Sequence, residues 1–202
     1  MYPLVLPPSL LGDSLFYTKK YVGELVRTVS SATYPWIGTI PAYILREDRV
    51  ELSLIHQMVM DPILQQDTNV HVLGFLNPYP SQIITRVISN DYPGLLELLE
   101  YILLSIGERE DDISQMHITK LFKPFYGLAF VARPSIIMEF TDWHSRVMMF
   151  LFSDPKAHRK LWSLQYDSHQ PNNPQSISSI LTTCLAPYFM NSRGYNIVMI
   201  RN

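Results

Sequence analysis

Cysteine is almost missing from this sequence: Cys184 stands alone in 202 residues. One thiol cannot close an internal disulfide, and a structural zinc site would have to do with a single thiolate among its four ligands. The scarcity fits a reducing, intracellular setting, cytoplasmic or nuclear. Glycine is also sparse, at 8 residues, and none falls into a Walker or dinucleotide-binding spacing, so a backbone cradle for phosphates is not expected. Charge is low. Asp, Glu, Lys and Arg make up 17% of the chain, against roughly a quarter in ordinary soluble domains. A formal net charge of −2 provides no global attraction to nucleic acid or to an anionic membrane. No apolar run approaches the ~18 residues a transmembrane helix needs. The first residues, Met1-Tyr2-Pro3-Leu4-Val5-Leu6-Pro7-Pro8, lack a basic start, and prolines cut their apolar run, so they do not read as a signal peptide.

What is plentiful is apolar surface. Hydrophobic residues are 47% of the chain and aromatics 12%. That composition argues against disorder and for a large core, with some apolar surface left to meet other chains. The length suits one domain. Residues 1–12 read as an extended, proline-containing arm and residues 13–202 as a single α+β domain, without internal repeats.

Periodicity outlines the elements. Residues 14–30 and 50–60 read as helices. Residues 33–46, carrying Pro35, Gly38 and Pro41, read as irregular or edge-strand structure. Residues 70–76 are β-branched and apolar, then meet the breaker Asn77-Pro78-Tyr79-Pro80, which makes them a strand ending in a turn. Residues 81–89 fit strand or helix. In 91–106, Leu95, Leu96, Leu98, Leu99, Ile102, Leu103 and Ile106 fall within an arc of about 160° on a helical wheel, with Pro93 in the first turn and Gly107 as the stop. This is a core helix with Leu104 on its polar side, followed by a solvated loop over 108–112.

The segment 125–152 reads as a β-meander: a strand at 127–131, then a hairpin of 135–140 and 146–152 around Thr141-Asp142-Trp143-His144-Ser145. Val147-Met148-Met149-Phe150-Leu151-Phe152 is apolar at every position, so a strand there needs cover on both faces, with Met149 and Phe150 on opposite sides. Asp154-Pro155 opens a helix through 164. Residues 170–175 are a loop. Ile177, Ile180, Leu181, Cys184 and Leu185 form the apolar stripe of a helix over 176–186, ended by Pro187. Residues 195–200 read as a final strand. The expectation is a mostly antiparallel sheet packed with four to five helices.

Chemistry-bearing patterns are few. Gly12-Asp13-Ser14-Leu15 resembles the first block of the GDSL (SGNH) ester hydrolases. The resemblance implies Ser14 as nucleophile, Asn90 in Ser89-Asn90-Asp91 as an oxyanion donor, and Asp167 with His169 as orienter and base. Ile88 stands where that family has glycine, and His169 lies one residue closer to Asp167 than its pattern asks, which re-aims the ring. The competing reading makes Asp13 or Ser14 a helix cap. The six histidines show no pair at i, i+3 or i+4, so neither a metal nor another cofactor is expected. Cys184, on an apolar stripe, reads as core. Lys156, His158, Arg159 and Lys160 form a basic turn beside Trp162 and Tyr166, a chemistry suited to RNA or an acidic surface, although Lys156 and Lys160 at i, i+4 commonly just solvate a helix. Tyr2-Pro3-Leu4-Val5-Leu6 and Tyr92-Pro93-Gly94-Leu95 resemble the Tyr-Pro-x-Leu late-domain motifs of enveloped-virus matrix and Gag proteins.

These observations point to a non-catalytic structural or protein-interaction subunit of a larger assembly, of which a viral structural or matrix-like protein is one concrete form. A protein partner or self-association is expected through Tyr2, Pro3 and Leu6 of the arm and through Met149, Phe150 and Phe152. The alternative is an ester hydrolase using Ser14, or an inactive relative of that fold.

Overall fold

The computed structural model describes residues 36–39, 57, 69–76, 93–115, 125–167 and 177–200. In chain order these form β1 (Ile37–Thr39), β2 (Val72–Leu76), α1 (Leu95–Ser105), α2 (Glu110–Gln115), β3 (Phe125–Ala132), α3 (Pro134–Ser153), α4 (Pro155–Asp167), α5 (Ile177–Ser192) and β4 (Ile197–Ile200). The expected arm, the helix over 14–30, the ambiguous 81–89 and the loop at 170–175 lie outside the described residues. Of the helix expected over 50–60, only Gln57 is described, and it is helical.

The architecture is α+β, with one four-stranded sheet in the order β1-β3-β2-β4. β3 is antiparallel to β1, with Ile37 opposite Ala132, and to β2, with Val72 opposite Ala132. β4 lies parallel to β2, with Val72 opposite Ile197. The sheet is therefore mixed, not mostly antiparallel. Between β2 and β4 the chain passes through α1, α2, β3 and α3 to α5, so the long connection that a parallel pair requires is present, with β3 on the other side of β2.

The expected hairpin does not exist. Residues 134–153 form one helix of 20 residues directly after β3, with Arg133 alone between them. Ile136, Ile137, Phe140, Trp143, His144, Val147, Met148 and Leu151 are all buried, at spacings that return to one side of a helix every three or four residues. Pro134 occupies the first turn, where its missing N–H costs nothing. The stretch Thr141 to Ser145 looks like a turn but is helix interior. The Thr141 hydroxyl donates to the Ile137 carbonyl at 2.8 Å and the Ser145 hydroxyl to the Thr141 carbonyl at 2.8 Å. Bonding back one turn lets such side chains sit inside a helix.

α1 follows the expected wheel. Leu95, Leu98, Leu99, Ile102 and Leu103 are buried, while Leu104 is 49% exposed. Its start differs slightly: Pro93 precedes the helix and Gly94 is the N-cap. α4 opens as expected, with the Ala157 N–H donating to Asp154 Oδ1 at 2.7 Å. α5, by contrast, runs through Pro187 to Ser192. A proline inside a helix costs about 3 kcal/mol. Beyond it, Tyr188, Phe189 and Met190 are all buried, and each such side chain contributes roughly 1.5–3 kcal/mol, which outweighs the defect. Phe189 packs on Phe140 at 5.4 Å and on Trp143 at 5.1 Å between ring centres, joining α5 to α3 in the core. Cys184 is buried on the same helix.

α1 and α5 end in the same way. Gly107 and Gly194 take positive φ of 91° and 67°. The Gly107 and Glu108 N–H groups donate to the Leu104 and Leu103 carbonyls, and those of Gly194 and Tyr195 to Asn191 and Met190. Both ends are Schellman turns, a geometry that favours glycine because a Cβ resists positive φ.

We expect Leu99→Ala to lower stability by about 2–5 kcal/mol, because truncating a buried leucine leaves a cavity. Leu104→Ala should cost little. Thermal unfolding of the two variants separates these outcomes.

Candidate functional site

The two Schellman turns deliver opposite charges to one place. Glu108 follows the turn of α1, and Arg193 sits at that of α5. Arg193 Nη2 donates to Glu108 Oε1 at 2.8 Å and Nη1 to Oε2 at 2.9 Å, a two-pronged pair. Trp143 Nε1 from α3 donates to Oε1 at 2.7 Å, and the Tyr188 hydroxyl from α5 to Oε2 at 3.2 Å. The Glu108 side chain is only 6% exposed. Burial alone would raise its pKa; the hydrogen bonds from Arg193 and Trp143, the Arg193 charge and the Tyr188 bond outweigh it and hold the carboxyl below its usual range. Arg193 also lies near Glu139, at 3.7 Å, and Glu139 accepts a hydrogen bond from the Tyr195 hydroxyl. Every lone-pair direction of the Glu108 carboxylate is directed at a protein donor, so the group acts as a structural tie. The expected solvated loop at 108–112 is corrected here in two respects: the Glu108 side chain is buried, and 110–115 is helical, although Arg109, Glu110 and Asp111 are exposed.

His144 is also buried and titratable. It is fully buried beside Phe140, and neither ring nitrogen has a hydrogen-bond partner. Burial pushes its pKa down from 6.5 to about 4.

Outside the core, α3 and α4 share an apolar outer surface. Met149 is 65% exposed, Phe152 52% and Trp162 56%. Met149 and Phe152 are i, i+3 on α3 and so adjacent. The Phe152 ring lies 6.3 Å from His158, and His158 lies 6.0 Å from Trp162, whose indole N–H donates to His158 Nε2 at 2.7 Å. The three large side chains therefore form one continuous patch across the α3–α4 corner. Arg146, one turn before Met149, and Arg159, one turn before Trp162, flank it; both are exposed. Met138 is also exposed, further along the same face of α3.

Of the residues singled out from sequence, Met149 and Phe152 lie on this patch. Phe150 does not: it is half-buried, 5.9 Å from the Tyr101 ring, and packs against the core. Met149 and Phe150 differ in environment because successive residues on a helix are about 100° apart, not because they sit on two faces of a strand. The residues of the basic turn face two ways. The Lys156 ammonium lies 4.2 Å over the Tyr101 ring, and Lys160 Nζ is beside Gly94, 2.8 Å from where a Cβ would be. Both thus turn towards α1, whereas His158 faces Phe152 and Trp162. Trp162 was legible from sequence only as an aromatic beside that basic turn.

Tyr2, Pro3, Leu6, Ser14, Asn90 and His169 lie outside the described residues, and Asp167 is the last residue of α4. Leu95 of the second Tyr-Pro-x-Leu run is buried in α1. Among the described residues no three or more His, Cys, Asp and Glu side chains gather as a metal site, and no helix is long and apolar enough to cross a membrane. No family model, curated protein or solved structure matches the chain.

His144 and Glu108 make an acid-side prediction. His144 is neutral in the fold, so its full contribution is present above pH 6.5 and is lost as the pH falls from 6.5 towards 4. The loss amounts to about 3 kcal/mol when complete. His144→Leu should flatten the melting temperature across that window. Glu108→Ala should cost about 3 kcal/mol at neutral pH, since it removes the two-pronged partner of Arg193 and leaves the Trp143 and Tyr188 donors without their acceptor. Because the Glu108 pKa is lowered by folding, that variant also removes the loss expected as pH falls through the depressed value. Melting temperature against pH for the three proteins checks both.

Proposed function

We propose that this chain is a non-catalytic structural or protein-interaction subunit of a larger assembly. The observation that carries the reading is the continuous patch of Met149, Phe152 and Trp162, each more than half exposed, at the α3–α4 corner. Scattered apolar side chains are normal on a protein surface, but adjacent ones of this size are unusual outside contact sites. Methionine and aromatic side chains are enriched where protein interfaces are buried, and arginine shares that enrichment. The patch has all three, and the Trp162 ring is held in place by its bond to His158. Pre-ordering of that kind lowers the entropy cost of association.

The test is mass in solution, measured for the purified chain and for the chain in extracts of its native source. Met149→Asp should leave the fold intact and dissociate the assembly. Phe150→Asp should instead lower the melting temperature strongly, because Phe150 packs on Tyr101 and the core. A wild-type chain that sediments as a monomer in its native extract overturns the proposal. So does a Met149→Asp chain that assembles like the wild type.

A further inference from the structure

The patch also carries information about what covers it. We infer that its occupant is an acidic amphipathic helix of another protein, with apolar side chains at i, i+3 or i+4 and i+7 docking on Met149, Phe152 and Trp162, and Asp or Glu on its flanks meeting Arg146 and Arg159. This inference rests on the interaction reading above and specifies its partner.

Charge complementarity is the main argument. Arg146 and Arg159 each stand one turn from a residue of the apolar patch, both are exposed, and neither forms an ion pair among the described residues. Two unpaired guanidinium groups beside desolvating apolar side chains favour a partner that brings carboxylates, and the fork of arginine suits them. Of the exposed carboxylates of α3, Glu139 is already engaged by Tyr195 and Arg193. Asp142 lies between Met138 and Arg146, at the far end of the face from Trp162.

Two other occupants fit less well. A second copy of this chain offers acid at Glu110, Asp111 and Asp112, but α2 turns Ile113 inward, and Leu104 is the one large exposed hydrophobic of α1. That corner has charge without a row of anchors. An anionic membrane calls for a cluster of about four to eight basic residues, whereas Lys156 and Lys160 turn towards Tyr101 and Gly94 and leave two arginines at the patch. The Trp162 N–H is also occupied by His158, while a tryptophan at a membrane interface commonly keeps that group for the wet side. A two-helix surface with side chains one turn apart is a shape onto which a third helix packs.

The experiment uses the full chain and three synthetic helical peptides: one with Leu and Phe anchors and Glu flanks, one with the same anchors and Lys flanks, and one with Glu flanks and Ser in place of the anchors. Trp36 and Trp143 are buried and Trp162 is exposed, so a blue shift of emission that disappears in Trp162→Phe reports docking at this patch. Affinity is read by anisotropy of labelled peptide. The Glu-flanked, anchored peptide should bind at least tenfold more tightly than either of the others, and weaken as salt is raised. The double variant Arg146→Glu, Arg159→Glu, with its melting temperature unchanged, should reverse the preference towards the Lys-flanked peptide. Equal binding of the Glu- and Lys-flanked peptides overturns the inference. So does the blue shift arising with phosphatidylserine vesicles and with no peptide, or concentration-dependent self-association that the charge reversal abolishes. The double variant is also assayed in the native extract. If Met149→Asp disrupts the assembly there and the charge reversal leaves it whole, the assembly reading stands and the acidic partner falls. If neither changes it, both fall.

Discussion

A single buried carboxylate holds together elements that are far apart in the chain. Glu108 receives both prongs of Arg193, the indole of Trp143 and the hydroxyl of Tyr188, and so joins the end of α1, the middle of α3, the last turns of α5 and the turn into β4. Taking that charge out of water is expensive, and the expense is offset only because all four donors are in place and Arg193 remains partly in solvent, with 28% of its side chain exposed. The arrangement depends on two glycines. Without left-handed turns at Gly107 and Gly194, neither charged residue is presented at the helix end where the other can reach it. The guanidinium also lies 5.3 Å over the Phe189 ring, so the polar tie and the aromatic core are one structure.

α3 relates that core to the outer surface. Its inner side contributes Phe140, Trp143, Val147 and Leu151 to the interior, and Trp143 is the same residue that donates to Glu108. Its outer side carries Met149 and Phe152. The helix is therefore anchored along one side by burial and by the Glu108 bond, which fixes the direction in which the other side points. An interaction surface built on a rigid, buttressed helix is presented with less loss of freedom than one built on a loop. The unpartnered His144 lies on the buried side, where burial holds its pKa below the usual range.

Several elements were legible because their signals are local. The arc of leucines in α1, the Asp154-Pro155 opening of α4 and the stripe holding Cys184 in α5 are all decided by residues within a turn or two of each other. α3 was as regular as these, with Pro134 at its start and buried positions recurring every three or four residues. Its sequence fits a hairpin as well, because Thr141 to Ser145 resembles a turn, and because six successive apolar residues satisfy a strand as readily as one end of a helix. Met149 and Phe152 stand out in the sequence on the argument of a two-sided strand; in the fold they are exposed on the outer side of a helix. The residues of the basic turn face two ways, because Lys156 and Lys160 lie against α1 while His158 and Trp162 face Phe152.

The sequence by itself determined that the chain has a large apolar interior, where three of its helices lie, which side of α1 is buried, and that Cys184 belongs inside. Local period and capping are sufficient for that, since they depend on contacts between near neighbours along the chain. Only the tertiary structure decided that β4 runs parallel to β2, that Glu108 is buried against Arg193 rather than solvated beside its acidic neighbours, and that Met149, Phe152 and Trp162 are left outside together. Glu108 and Arg193 are 85 residues apart. No short-range pattern specifies a pairing over that distance; it follows from how the helices pack, and packing also decides which apolar side chains find no room within.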